Sequence, residues 1–416
     1  MKILLYLSSL ILITNVSSCK KVNDEYSYTD TTISYKKADW LEVSDKGTLG
    51  LLQFWYPVTN ANGQEGGYFG HGSNGANPGF NYWLQAQALD VLVDAYNRTT
   101  LLSERVLYKN YIDKWYIGVQ AKHNSTGNAD DVRNFEDNYV DDMEWIGLAA
   151  LRAYQATGDH KFYVLTQHMW ESIFLDLRGY NESAPYYGGI FWLRSASGKN
   201  ACSNGPGSLL CMKLYEHTGD EKYLTYAEKV YDWLRNNLFN SSTGAVYDNV
   251  VINAEGVANV QKVALSYNQG TFLGTALELY KVTGRQMYLD DAKLSANYTI
   301  GRKVKPESRV LQAEGEEQNQ VFRGIFIRSF LELTRYEKLD EKSRSTYVDA
   351  MERFGQYIWQ AGSATYNIDA NNTCLMFSNV WDESPVSYEF SQQMTGCMLV
   401  DAVNQLNTAG FIKQSY

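Results

Sequence analysis

The segments LRAYQATGDHKF (residues 151–162), KLYEHTGDEKYL (213–224) and ELYKVTGRQMYL (278–289) are three copies of one pattern in a chain of 416 residues. In each copy, apolar residues spaced by three and four positions run up to a Thr-Gly pair, and a second such run follows it. Thr-Gly ends a helix, and the Asp that follows in two copies can cap the next one. The repeated pattern therefore predicts a helical hairpin.

Weaker copies of this pattern extend the series along the chain to six pairs of helices. The first helices of the pairs are expected at about 81–97, 140–156, 204–217, 266–282, 320–335 and 392–407. Their partners are expected at about 38–56, 102–121, 160–177, 221–237, 286–300 and 342–360. The spacing is too long for repeats of about 34 residues, and helix pairs must bury their apolar faces against neighbours. We therefore expect an all-α fold, an (α/α)6 barrel of six helical hairpins, as one domain over residues 36–416.

The N-terminus has the features of an export signal. Lys2 precedes an apolar run, and residues 1–18 are interpreted as a signal peptide. The sequence VSSC ending at Cys19 is similar to a bacterial lipobox, which predicts lipidation of Cys19; an ordinary signal with an incidental cysteine is the alternative. Residues 19–35 are polar and suit a flexible tether. The expected location is the outer membrane, at the cell surface or the periplasmic face, with membrane contact through the lipid only.

Composition limits the partners of the folded domain. The chain has 47 acidic and 37 basic residues, a net charge of -10, which argues against binding nucleic acid or anionic membranes and suits a neutral polymer. No His spacing matches a metal-hydrolase motif, so no metal or cofactor is expected. A monomer is expected. Outside the signal, the cysteines are interpreted mainly as core residues, although disulfides are possible: Cys202, Cys211, Cys374 and Cys397.

Carboxylates are concentrated in the segment FEDNYVDDMEWIGLAALRAY (135–154). Asp141 and Asp142 stand at the entry to a predicted helix, and two further carboxylates precede them. Burial and like charges raise a carboxyl pKa, whereas a helix N-terminus lowers it, so the pair could divide into one acid and one anion. Glycoside hydrolysis requires that division. Alternatively, Asp141 is only an N-cap, with Glu144 completing a capping box.

Aromatic and amide side chains recur at the starts of the first helices. Aromatic residues make up 14% of the chain, and sugar rings stack on aromatic faces, although aromatic side chains also serve as core. Converging amides and aromatics suit a hydroxyl-rich ligand. The candidate substrate-binding residues are Tyr82, Trp83, Asn204, Tyr267, Asn268, Gln269, Phe322, Arg323 and Gln393.

Seven collinear blocks carry a resemblance to a known family. They are NYWLQAQALDVLVDAY from residue 81, YVDDMEWIGLAALRAYQATGD from 139, GGIFWL from 188, KNACSNGPGSLLCMKLYEHTGD from 199, SYNQGTFLGTALELYKVTG from 266, VFRGIFIRSF from 321 and QQMTG from 392. With these blocks the chain resembles glycoside hydrolase family 76, the endo-α-1,6-mannanases. Two features depart from the family: Phe191 stands where Trp is common, and the Gly-rich stretch 64–80 does not align.

The resemblance implies a metal-free, retaining hydrolysis of the α-1,6-mannan backbone of yeast-type mannan or of mannooligosaccharides. It assigns the nucleophile to Asp141 and the acid/base to Asp142. Retention requires carboxyl groups about 5–5.5 Å apart. Two other functions stay open: a non-catalytic glycan-binding lipoprotein of the outer membrane, and a transglycosylase that uses the same carboxylates on α-mannan.

Overall fold

The computed structural model of the protein describes residues 33–73, 75–183, 187–195, 198–252, 258–315 and 317–413. Helices occur at all twelve predicted positions. Six of them form an inner layer: α2 (Tyr82–Arg98), α4 (Val140–Thr157), α6 (Ala201–Thr218), α8 (Ser266–Thr283), α10 (Phe322–Arg335) and α12 (Phe390–Thr408). The other six form an outer layer: α1 (Trp40–Leu52), α3 (Leu102–Lys122), α5 (His160–Phe174), α7 (Glu221–Asn237), α9 (Gln286–Arg302) and α11 (Glu341–Gln360).

The inner helices form a closed ring. Each contacts the next in chain order, and α12 contacts α2, so the last helix returns to the first. Each outer helix packs on an inner partner, and α1 packs on α12. The predicted (α/α)6 barrel of six helical hairpins is confirmed.

The Thr-Gly-Asp turns end one helix of a hairpin and begin the next. Gly158 and Gly219 end α4 and α6 at φ values of 72° and 69°, a conformation that glycine adopts without steric cost. Asp159 and Asp220 then cap the following helices by accepting bonds from the backbone amides of Lys161 and Lys222, respectively. Because these short turns lie at one end of the barrel, the long links meet at the other end, where the inner helices begin.

A buried arginine joins the helices at the seam where the ring closes. Arg98, at the end of α2, donates from Nε to Asp45 Oδ1 of α1 at 2.9 Å and from Nη1 to Asp401 Oδ1 of α12 at 2.6 Å. Its Nη2 also donates to Thr48 Oγ1 of α1 at 3.0 Å. The Arg98 side chain is only 6% exposed, so the first, second and last helices share one buried charge cluster.

Short strands occupy several of the long links. They form the antiparallel pairs β1 (Trp55–Thr59) with β2 (Glu65–Phe69) and β6 (Ser363–Asn367) with β7 (Thr373–Phe377), and the sheet of β3 (Lys199–Asn200), β4 (Asn249–Ile252) and β5 (Ala258–Gln261). The β4–β5 hairpin lies in a segment, 244–267, whose alternation predicts such a hairpin. The helix predicted over 38–56 is too long, because the aromatic and β-branched run from Trp55 to Thr59 forms β1 instead.

The cysteine side chains behave as core. Cys202, Cys211, Cys374 and Cys397 are buried and free. The signal peptide, Cys19 and the tether up to residue 32 lie outside the described residues. In the part of the chain that is described, no helix combines the length and apolarity needed to cross a bilayer.

Candidate active site

A groove of about 1420 Å³ lies at the end of the barrel where the inner helices begin. Its walls come from the starts of α2, α4, α6, α8 and α10 and from the links that precede them. Asp141 and Asp142 line it together with Trp145. Typical pockets for small ligands measure roughly 300–1,000 Å³, so this groove has room for several sugar units.

The first turn of α4 presents both aspartates to this groove. The helix begins at Val140, and its N-cap is Tyr139, which makes no side-chain cap. Asp141 and Asp142 are therefore helical residues near the positive end of the helix dipole. Glu144 is fully buried and does not reach back to the helix start. The capping-box alternative is wrong, because the N-cap of α4 is Tyr139 rather than Asp141, and the Glu144 side chain makes no hydrogen bond to the start of the helix.

Asp141 is the more anionic member of the pair. Its side chain is buried, and Oδ2 accepts a hydrogen bond from the Cys202 thiol at 3.1 Å. Burial raises the pKa of Asp141 to about 7, while the bonds from Cys202 and from the backbone amides of residues 141 and 142 oppose that rise.

Asp142 is the weaker acid of the pair and keeps its proton to higher pH. Burial raises the pKa of Asp142 well above its ordinary value, and the charges of Asp141 and Asp137 raise it further. The two adjacent carboxyl groups thus differ in proton affinity, and Asp141 gives up its proton at lower pH than Asp142 does.

The two carboxylates that precede the pair serve other contacts. Glu136 accepts from His168 Nε2 and Arg194 Nη1, each at 2.9 Å. Asp137 accepts from His123 Nε2 at 2.9 Å and from the Tyr139 amide at 2.8 Å. Burial would raise the pKa of Asp137, but these bonds outweigh it and hold the pKa below its ordinary value.

A further carboxyl group lies beneath the pair. Glu144 is 0% exposed, and burial, together with the charge of Asp141, raises its pKa well above the ordinary value. Its carboxyl group lies against the backbone of Gly207, where a Cβ atom would come within 2.6 Å of Oε1. The absence of a side chain at Gly207 thus leaves room for the buried carboxyl group of Glu144.

Three of the nine predicted substrate-binding residues line the groove. Trp83 lies beside Phe322 and donates from Nε1 to Gln318 Oε1 at 3.0 Å. The rings of Tyr267 and Phe322 stack with their centroids 3.9 Å apart and their planes 5° apart. These rings form an aromatic wall near the carboxyl pair.

The other six predicted residues are buried and do not line the groove, so their role as substrate contacts stays a prediction. Their side chains bond to the links instead. The pairs are Tyr82 with Phe135 O, Asn204 with the backbone of Ile190, Asn268 with Asp248, Gln269 with Val246 O, Arg323 with Leu311 O and Asn379, and Gln393 with Gly47 O and Leu375 O. Buried amides pair with backbone because an unpaired buried polar group is costly. Their function is to hold the links that shape the groove.

Several residues that line the groove were not predicted from the sequence. They are Tyr139, Tyr187, Phe191, Trp192, Lys199, Cys202, Trp233 and Asp248. All of them except Tyr187, Trp233 and Asp248 lie in the blocks YVDD, GGIFWL and KNACSNG, whose resemblance to the family could have marked them as site residues. Asp248 enters the groove because β4 pairs with β3, which no local pattern specifies.

The Gly-rich stretch 64–80 packs against the outer helix α3, and none of its described residues lines the groove. Strand β2 lies directly on α3, where a Cβ at Gly118 would come within 2.1 Å of Gly67 O.

Among the described residues, no group of three or more His, Cys, Asp or Glu side chains is arranged to hold a metal ion.

Comparison with known proteins identifies the family. The sequence model of glycosyl hydrolase family 76 matches residues 42–413. The chain belongs to this family. Among family 76 structures, the α-1,6-mannanase of Salegentibacter sp. HEL1_6 is 30% identical, with a TM-score of 0.75 over 88% of this chain and 100% of that one. An inactive variant of that enzyme, in which two consecutive aspartates are replaced by asparagine, is known in complex with α-1,6-mannotriose.

Fungal relatives of the family 76 chain match over shorter stretches. The mannan endo-1,6-alpha-mannosidase of Candida glabrata is 34% identical over 99 residues, 23% of this chain and 22% of that protein. The Candida albicans protein of the same name is 25% identical over 300 residues, 64% of this chain and 58% of that protein. The chain thus spans less than two thirds of the length of these relatives.

Proposed function

We propose that the protein is an endo-acting α-1,6-mannanase that cleaves the α-1,6-mannan backbone of yeast-type mannan with retention of configuration. The observation that carries this proposal is the pair of adjacent carboxyl groups of unequal proton affinity, Asp141 and Asp142, at the floor of a long aromatic groove. The loss of activity in the Salegentibacter enzyme on replacing two consecutive aspartates supports the same assignment.

In the proposed reaction, the Asp141 carboxylate attacks the anomeric carbon of one mannosyl unit while the glycosidic C1–O bond breaks. Asp142 gives its proton to the departing O6 of the next unit. Its carboxylate then takes a proton from water, and the oxygen of that water attacks the same carbon and releases Asp141. The second displacement restores the starting configuration and both protonation states.

The size and rim of the groove support internal cleavage. At about 1420 Å³ it exceeds the volume that one sugar needs, and its rim carries exposed aromatic side chains. Tyr139 is 42%, Trp192 38% and Tyr187 73% exposed. Such faces suit stacking against successive units of a bound polymer.

The configuration of the first product tests the mechanism. During cleavage of α-1,6-mannotetraose followed by NMR, the new reducing end is expected to form as the α-anomer, ahead of mutarotation. A β-anomer as the first product would contradict a covalent intermediate on Asp141. Products longer than the substrate would instead select the transglycosylase alternative, and binding without turnover would select the glycan-binding one.

Trp83→Ala is expected to raise KM for mannooligosaccharides roughly 3- to 10-fold with little change in kcat, because a lost stacking contact weakens ground and transition states alike. Steady-state kinetics measure the effect. Tyr82→Phe is the control, since Tyr82 is buried beside Phe135 and outside the groove. If both variants changed KM equally, the groove would not be the binding surface.

We propose that the protein acts as a monomer attached to the outer membrane through lipidated Cys19. Cys19→Ser is expected to move the protein from the membrane fraction to the soluble fraction, because acyl chains supply about 0.8 kcal/mol of membrane affinity per buried CH₂. Cell fractionation with immunodetection measures this. Cys374→Ser, in the β6–β7 hairpin, is the matched control and is expected to stay with the membrane. Membrane retention of Cys19→Ser would contradict the anchor.

A further inference from the structure

We propose that Cys202 is a positioning residue for Asp141: its thiol donates the hydrogen bond that holds this carboxylate as the anion of the pair. The inference rests on the proposed function, in which Asp141 is the nucleophile. It gives a role to a groove residue that neither the repeat pattern nor the carboxylate motif singled out.

The geometry places the thiol between two groove side chains. Cys202 is the second residue of α6, is 5% exposed and lines the groove. Its Sγ donates to Asp141 Oδ2 at 3.1 Å. From the other side the Tyr267 hydroxyl hydrogen-bonds with the sulfur, and Tyr267 is itself held by stacking on Phe322. The sulfur therefore has little freedom to turn away from Asp141.

The surroundings of Asp141 are otherwise acidic. Asp142 and Glu144 lie on its own helix, Asp137 precedes that helix, and Asp248 lies immediately before β4, near Cys202 and Tyr267. Among the described residues, no Lys, Arg or His side chain contributes to the electrostatics of Asp141 as an ion-pair partner.

A lysine that lines the groove contacts other side chains. Lys199 lies against the Phe191 and Trp233 rings, with its Nζ 4.8 and 5.4 Å from their centroids. With no cation paired to it, Asp141 depends on hydrogen-bond donors to stay ionised, and the thiol is the side chain that supplies one.

The thiol also distinguishes Asp141 from its neighbour. Among the described residues, hydrogen bonds contribute to the pKa of Asp141 but not to that of Asp142, which is governed by burial and by the charges of Asp141 and Asp137. Two adjacent carboxyl groups on one helix would otherwise compete for one proton. The Cys202 bond thus fixes which of them attacks and which protonates.

The test compares the pH dependence of kcat/KM on α-1,6-mannotetraose for wild type, Cys202→Ala and Cys202→Ser. Loss of the donor raises the pKa of Asp141, so the acidic limb of the Cys202→Ala profile is expected to move up by about one pH unit, with a roughly tenfold loss of kcat/KM below the limb. A serine hydroxyl donates too, so Cys202→Ser is expected to keep its limb at or below the wild-type position. Cys374→Ala, a buried cysteine outside the groove, is the control with an unchanged profile.

The proposal would be overturned if the acidic limb of Cys202→Ala lay at the same pH as that of wild type. It would also be overturned if Cys202→Ala and Cys202→Ser lost kcat/KM equally at every pH. If Cys202→Ala does not fold, Cys202→Ser still tests the proposal. An acidic limb of the kcat/KM profile at higher pH in Cys202→Ser than in wild type would contradict the role of a hydrogen-bond donor at this position. Failure of the proposed function is a separate result: wild type itself would then release no product from the tetraose.

Discussion

Asp141→Asn is expected to lower kcat/KM on linear α-1,6-mannan by roughly 10⁴-fold or more, because an amide cannot form the covalent intermediate. Asp142→Asn is expected to cost about 10²- to 10⁴-fold, the contribution of a positioned general acid. Both substitutions keep the size of the side chain, and measurement of reducing ends over time quantifies both losses.

The two roles are separated by a substrate whose leaving group needs no proton. On an aryl α-1,6-mannooligosaccharide with a good leaving group, Asp142→Asn is expected to regain a rapid first step, visible as a burst of the aryl alcohol, whereas Asp141→Asn is not. Asp369→Asn is the matched control, since Asp369 lies in the turn between β6 and β7 and outside the groove. Activity within about tenfold of wild type in either Asp141→Asn or Asp142→Asn would remove that carboxyl group from the mechanism.

Arg98→Met is expected to lower the free energy of unfolding by about 3–5 kcal/mol, because it leaves Asp401 buried without its charge partner. The seam between α1, α2 and α12 would lose its three shared hydrogen bonds. Chemical denaturation followed by circular dichroism measures the change. Arg178→Met is the control: its bond to Asp176 is on the surface, where ion pairs contribute little.

A second substitution tests the physical reason for that loss. In Arg98→Met with Asp401→Asn, the buried unpaired charge of Asp401 is removed and only Asp45, whose side chain is 36% exposed, keeps a carboxylate without its partner. The double variant is therefore expected to lose less than the sum of the two single losses. Additive losses, or a denaturation midpoint for Arg98→Met equal to that of wild type, would contradict a role for this cluster in closing the ring.

The sequence predicted the helical layers well because their signals are local. Thr-Gly-Asp turns, capping aspartates and apolar spacing act within a few residues, and all twelve helices lie where these signals put them. The strand β1 escaped notice because the apolar run of α1 continues into it, and only the pairing of Trp55 with Phe69 decides its conformation.

The site was predicted less completely, for a physical reason. Asp141, Asp142, Trp83, Tyr267 and Phe322 begin inner helices and face the groove. The buried amides near the starts of α6, α8 and α12 instead bond to backbone groups of the links and of neighbouring elements. Which polar side chain meets substrate and which meets backbone depends on the path of the links, and that path depends on long-range pairing such as that of β3 with β4.

The time course of products from linear α-1,6-mannan distinguishes internal cleavage by the two aspartates from every alternative function. We expect a mixture of oligosaccharides of intermediate length from the earliest times, with a rapid fall in mean chain length and new reducing ends that depend on Asp141 and Asp142. Mannose as the sole early product, or no new reducing ends at all, would contradict internal cleavage.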